Sequence, residues 1–222
     1  MLSKKKTVEA IDLMKEYYPN AEGELNHGSD FQYLIAVMLS AQATDVSVNK
    51  ATPFLFEAYP TVEKMAKAPI EDVMSRIKTI GLYKVKAKNI INTSNILIEK
   101  FNGEVPRTKK ELVSLPGVGQ KTANVVAGDL FNVPSIAVDT HVERVSKRLR
   151  ICKQSATVDE VEEALMKKIP ADRWIDTHHT MILFGRYHCT ARKPKCEDCL
   201  LLELCAGGQK ILRDKEKLKA KK

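Results

Sequence analysis

From Phe31 to Leu39 the chain reads Phe-Gln-Tyr-Leu-Ile-Ala-Val-Met-Leu, apolar at almost every position. A helix that is apolar all round is a buried one, and Ser29 or Asp30 stands where its N-terminal cap belongs. Three Thr-x-x-Glu sequences, Thr108/Glu111, Thr140/Glu143 and Thr157/Glu160, match the capping box that opens helices. Gly81 and Gly103 stand where helices would close. Strand-like alternation of period two is scarce. The pattern predicts an all-α fold. Internal breaks are expected at Asn132-Val133-Pro134-Ser135 and near Asn20 to Gly28. The basic stretch Lys210 to Lys222 reads as a frayed, solvated helix end or a disordered tail, with loose phosphate contact as the alternative.

Length and charge narrow the setting. The 222 residues can form one large domain or two small ones with a real core. A formal charge of +8 suggests an anionic partner, although many basic proteins simply stay dispersed this way. No run approaches the roughly 18 apolar residues of a membrane span. The basic start Met1 to Lys6 is not followed by the apolar stretch of a secretory signal. The expectation is a reducing, intracellular protein without a membrane partner.

That expectation changes how the five cysteines are read. Four fall in Cys189-x6-Cys196-x2-Cys199-x5-Cys205. In a reducing compartment such a cluster signals metal ligation rather than disulfides. Zinc prefers two close pairs, and only Cys196 and Cys199 are so spaced. Common ferredoxin spacings do not match either, so spacing alone leaves the metal open. Cys152 reads as a buried core thiol, and His178-His179 lack an accompanying metal motif. Between the first two ligands, Arg192, Lys193 and Lys195 form a pinned cationic loop. It suits a phosphate, with a plain solvated loop as the alternative.

The most informative segment is Leu115-Pro116-Gly117-Val118-Gly119-Gln120-Lys121-Thr122. A helix from about Lys109 to Ser114 precedes it and an apolar helix, Thr122 to Leu130, follows. Pro116 stops the first helix. Gly117 and Gly119 permit positive φ and remove the side chains that would block a close approach. The second helix then offers unpaired N–H groups and its positive dipole end, an anion site. A tight structural turn is the plainer reading. The two glycines are too close for the Gly-x-x-x-x-Gly-Lys-[Ser/Thr] phosphate loop, which argues against a nucleotide hydrolase. Lys121 is either a phosphate contact or a nucleophile. An amine attacks an electrophilic sugar carbon only when neutral, and helix N-termini and apolar walls disfavour the ammonium form. Asp139, just before a helix from Thr140 to Leu149, reads as a cap or pre-cap residue.

The segment Leu115 to Gly119 between helices, with Val138-Asp139-Thr140-His141-Val142 and the cysteine cluster, resembles the helix-hairpin-helix DNA glycosylase superfamily, and within it the endonuclease III family. Leu39-Ser40-Ala41-Gln42-Ala43-Thr44-Asp45 resembles that family too, and the likeness spans essentially the whole chain. The resemblance implies two helical domains with a cleft between them. One spans 23–133 and carries the hairpin at about 108–131; the other joins 1–22 to 134–222 and carries a C-terminal [4Fe–4S] loop. It implies a bifunctional DNA glycosylase and abasic-site lyase for oxidised pyrimidines, a cytoplasmic monomer (nucleoid-associated in a bacterium) acting on double-stranded DNA with damaged bases or abasic sites. Lys121 is the implied nucleophile and Asp139 the assisting carboxylate, facing each other across the cleft. Gly117, Val118 and Gly119 would bind DNA; Gln42 and Leu82 would enter the duplex; Asp45 would lie near the pocket. Cys189, Cys196, Cys199 and Cys205 would hold the cluster. Unaided, Leu82 reads as the anchor of a helix C-cap and Gln42 as a surface residue. Two rivals stay open: a non-catalytic iron–sulfur DNA-binding module, and a monofunctional adenine-type glycosylase. The second is disfavoured by Lys121 and by the lack of a further recognition domain.

Overall fold

The computed structural model describes residues 1–220. Among them there is no strand, as the periodicity predicts. The helices are α1 (Lys4–Tyr17), α2 (Asp30–Ser40), α3 (Asp45–Ala58), α4 (Val62–Ala66), α5 (Ile70–Arg76), α6 (Tyr83–Phe101), α7 (Lys109–Val113), α8 (Gln120–Phe131), α9 (Thr140–Arg148), α10 (Val158–Lys168), α11 (Trp174–Leu183) and α12 (Ala206–Lys219). The chain divides into two compact units. Glu24–Val133 is one; Met1–Gly23 and the chain from Pro134 onward form the other.

In the Glu24–Val133 unit α2 is the central post. Ser29 caps it, accepting a hydrogen bond from the Gln32 N–H. Phe31 and every residue from Tyr33 to Leu39 are buried. Full burial of one such aliphatic side chain stabilises by about 1.5–3 kcal/mol. Helices α3, α6 and α8 pack round α2, α4 lies along α6, and α7 pairs with α8. Gly103 closes α6 as expected: Asn102 is left-handed at φ 52°, Gly103 follows at φ 80°, and its N–H donates to the Leu97 carbonyl. Gly81 closes nothing. Helix α5 is already capped by Ile77, and Gly81 belongs to the entry of α6.

In the other unit α1 packs on α10 and α11, and α9 on α10, α11 and α12. Ile11, Met14, Val142, Val145, Leu165 and Met181 make its core. Lys168 ties the first residues down, its Nζ donating to the carbonyls of Leu2 (2.7 Å) and Ile151 (2.6 Å). Thr157 and Glu160 form a complete capping box. Thr140 and Glu143 do not, because Asp139 takes the cap and Thr140 becomes the first helical residue. A single π-helical stretch, Phe184–His188, delivers the chain to Cys189. The basic stretch from Lys210 is helical through Lys219 and mostly exposed, with Lys215 paired to Glu197 at 3.2 Å; Lys221 and Lys222 lie outside the described residues.

Candidate functional site

The hairpin between α7 and α8 is built around one obligatory glycine. Gly117 has φ 78°, and a Cβ there would lie 2.6 Å from Asn89 Nδ2. Gly119 is different. Its φ is −87°, and a Cβ would meet nothing within 4 Å. The expected left-handed backbone therefore holds for Gly117 alone, and the room over Gly119 is room for something outside the chain. Helix α8 opens two residues earlier than the sequence suggests, at Gln120, because Gly119 serves as its cap. Glycine has no side chain to pair with the first-turn N–H groups. Lys121 lies in that first turn and is exposed, so no apolar wall encloses it. Val118 is buried, leaving only its backbone for an outside contact.

Apart from Asn102 and Asn132, which end helices, two exposed side chains of the same unit stand on left-handed backbone. Gln42 has φ 56° and Leu82 φ 60°, and Leu82 is 60% exposed. For residues with a Cβ this costs roughly 1–2 kcal/mol, and such strain gathers at functional sites. Ser40 to Ala43 forms a type II turn. Ala41 is at φ −57°, ψ 116°, Gln42 follows with positive φ, and the Ala43 N–H donates to the Ser40 carbonyl at 3.0 Å. Leu82 opens α6 rather than closing a helix.

Sequence reasoning missed what holds these pieces. Leu82, Lys86, Asn89 and Thr93 recur along α6 at the spacing of one helical face. The Lys86 Nζ donates to the carbonyls of Leu39 (2.8 Å) and Ala41 (2.7 Å). Asn89 packs under Gly117. The Thr93 hydroxyl donates to the Pro116 carbonyl at 3.1 Å. Polar residues on the inward face of an amphipathic helix were the available signal. Asp45 is the half-buried first residue of α3, capped by Thr44. Burial first, then the adjacent Asp129 and least the charge of Asp45, push the Tyr33 hydroxyl well above the ordinary tyrosine range. Tyr33 donates to the Asp129 carboxylate.

In the other unit, Asp139 Oδ1 accepts from the N–H groups of His141 and Val142, each at 2.8 Å. The cap uses one carboxylate oxygen of two and fixes the plane of the group. Asp139 itself is half-buried.

The cysteines come together as their spacing suggests. Cys189, Cys196, Cys199 and Cys205 line one small cavity of about 20 Å³, walled by Val145, Leu149 and Phe184. All four are free thiols. Among the described residues no three His, Cys, Asp or Glu side chains are grouped to hold a single metal ion. Thiols spread round a cavity suit the separate corners of a polynuclear cluster better than the tight tetrahedron of zinc. Burial pushes Cys199 up to about 11 and raises Cys196 and Cys205. These sulfurs become thiolates when a metal replaces the proton. Donors already face two of them: Arg148 Nη1 lies 3.2 Å from Cys189 Sγ, and the Gly208 N–H 3.2 Å from Cys205 Sγ. The donor set fits a [4Fe–4S] cluster, the group expected here.

Arg148 also gathers the loop between the first two ligands. It donates to the carbonyls of Cys189 (3.1 Å), Thr190 (2.7 Å) and Ala191 (2.9 Å), while Arg144 Nε reaches the Cys189 carbonyl at 3.1 Å. Nothing in the sequence marks these arginines apart from the other cations of α9. Beyond that clamp Pro194 is buried, and Arg192, Lys193 and Lys195 are exposed.

Comparison with known proteins agrees with this geometry. Residues 35–171 match the HhH-GPD superfamily base excision DNA repair proteins, and residues 189–205 the iron-sulfur binding domain of endonuclease III. The chain is 52% identical over 218 residues to endonuclease III of Bacillus subtilis (strain 168), covering 98% of this chain and 99% of that protein. It is 49% identical over 210 residues to endonuclease III of Escherichia coli (strain K12), covering 95% and 99%. A solved structure of a trapped endonuclease III–DNA covalent intermediate, an estranged-adenine complex, superposes with a TM-score of 0.92 at 53% identity, covering 96% of this chain and 100% of that one.

Proposed function

The chain belongs to the endonuclease III family of helix-hairpin-helix base excision DNA repair proteins, and from that premise we propose which of its residues carry out base removal and strand cleavage. It is a DNA glycosylase with abasic-site lyase activity, and its substrate class is oxidised pyrimidines in double-stranded DNA. The target nucleotide leaves the stack, since the sugar carbon is inaccessible inside it. The Lys121 amine attacks C1′ and the C1′–N bond breaks, releasing the base with its electron pair. Opening of the sugar leaves an imine between Lys121 and C1′. Loss of a proton from C2′ then expels the 3′ phosphate, and the strand is cut. Asp139, held by its two backbone donors, assists the nucleophile and balances positive charge on the sugar.

The remaining residues hold the DNA. Backbone N–H groups over Gly117 to Gly119 take a phosphate, a contact that positions without reading sequence. Gln42 and Leu82 enter the duplex where the nucleotide has left, Gln42 toward the orphan base and Leu82 as an apolar wedge. The cluster shapes the Cys189–Cys205 loop and supplies no step of the reaction. On this reading the protein acts on DNA as a monomer in the cytoplasm. Separately, no helix of the described residues is long and apolar enough to cross a membrane.

One observation carries the assignment. An exposed lysine stands in the first turn behind the glycine hairpin, in a chain 53% identical to a trapped endonuclease III–DNA covalent intermediate. The test is a duplex containing one oxidised thymine. Free base and a nicked strand are expected together. Base release with an intact abasic strand would make the protein a monofunctional glycosylase, and binding without release a DNA-binding module.

The loop Arg192, Lys193 and Lys195 joins the interface as a phosphate contact. Affinity for duplex should fall with salt at a log–log slope of about −0.9 per phosphate neutralised. Replacing all three with Ala should flatten that slope by roughly one to three units. An unchanged slope returns the loop to plain solvation.

A further inference from the structure

Lys86 is among the few buried charged side chains of the described residues, 7% exposed, and nothing in the chemistry above uses it. Its place is specific. Through its backbone it is part of the first turn after the wedge, its N–H donating to the Leu82 carbonyl at 3.0 Å. Through its side chain it reaches the end of α2, 2.8 Å from the Leu39 carbonyl and 2.7 Å from that of Ala41. Ala41 and Gln42 share the central peptide of the type II turn. Type I and type II turns differ chiefly by a half-turn of that peptide, and type II demands positive φ at its third residue, a place suited to glycine or asparagine. Glutamine is neither. If the peptide turned over, the Ala41 carbonyl would swing away from Lys86 and the Gln42 N–H, a donor, would face the ammonium. The bond to Ala41 therefore selects the form in which Gln42 is left-handed. The bond to Leu39 places the cation on the last carbonyls of α2, the negative end of its dipole.

We infer that Lys86 is a positioning residue that locks the Gln42 turn in its type II form and ties it to Leu82, so that plug and wedge enter the duplex as one unit. This rests on the reading that Gln42 and Leu82 insert. Burial pushes the Lys86 amine below the ordinary lysine range, and the two carbonyls and the α2 dipole offset that cost. Asn89 and Thr93, further along the same face, hold the hairpin from the same helix, so α6 carries three DNA-contacting elements on one rigid support.

The experiment is a double-mutant cycle of Gln42→Ala and Lys86→Met in the cluster-loaded protein. It compares strand cleavage at an abasic site in duplex and in single-stranded DNA, because a single strand offers no orphan partner and no stack to prop open. Lys86→Met should lower the duplex to single-strand ratio on the order of tenfold, and in the Gln42→Ala background it should lower it little further. Lys86→Gln, too short to reach both carbonyls but polar, serves in the same cycle should Lys86→Met not fold. A merely structural role would lower both activities together and leave the ratio alone. If Gln42→Ala lowers the ratio while Lys86→Met does not, or if the two effects multiply, the inference is overturned and insertion stands. If Gln42→Ala itself leaves the ratio unchanged, the insertion reading fails and the inference with it.

Discussion

Lys121→Ala should form no borohydride-stable adduct with DNA, whereas the unaltered protein should be trapped covalently. Borohydride reduces an imine to a stable amine, so the trap reports the bond between C1′ and the nucleophilic nitrogen. The substitution is a clean one in this fold. Lys121 is exposed in the first turn of α8, where alanine is a good helix former, and surface changes of this kind stay within about 0.5 kcal/mol. Folding and iron content should be unaffected. Base release should fall on the order of 10⁶-fold, the scale at which a covalent catalyst feels the loss of its nucleophile. Binding should lose one cation only, a change of about 0.9 in the salt slope. The competing role, a phosphate contact at the hairpin, gives the opposite pattern: weaker binding with trapping intact. An adduct formed by Lys121→Ala would place the chemistry on another amine.

Asp139→Asn separates a helix cap from an assisting carboxylate. Asparagine caps about as well as aspartate, and its side-chain oxygen can accept the same two bonds from His141 and Val142. What α9 loses is the charge–dipole interaction, about 0.3–1 kcal/mol. The protein should stay folded with its cluster. If Asp139 were a cap and nothing more, base release would be near normal. As an assisting group its loss should slow base release on the order of 10²–10⁴-fold. Cleavage at a pre-formed abasic site should slow less, because the base has already gone and C1′ is already an aldehyde carbon. The diagnostic is that order: stability nearly unchanged, abasic cleavage moderately reduced, base release mostly lost. Normal base release by a well-folded Asp139→Asn would leave the carboxylate a cap and no more.

Much of this protein is written in short stretches of its chain. The apolar run of α2 with Ser29 before it, the Thr157–Glu160 box, and the Asn102–Gly103 end of α6 depend on neighbours within a turn or two, and all three formed as read. The four cysteines are close enough in sequence that their spacing already announces a common site. Even the hairpin was legible, although only Gly117 needs its glycine for the backbone. Where two local signals competed, sequence could not choose. Asp139 and Thr140 are both good caps, and the fold gave the cap to the aspartate. The left-handed backbone at Gln42 and Leu82 was invisible, because neither residue favours it and the bonds that hold the Gln42 turn come from elsewhere. Lys86 lies 47 residues from the Leu39 carbonyl it binds, and Arg148 lies 41 residues from Cys189. A buried cation against backbone carbonyls leaves no periodicity and no spacing behind it. Local propensity decided which elements form. Tertiary contacts between distant segments decided the form of the Gln42 turn, because only a packed partner can offset the strain of holding a glutamine in left-handed backbone.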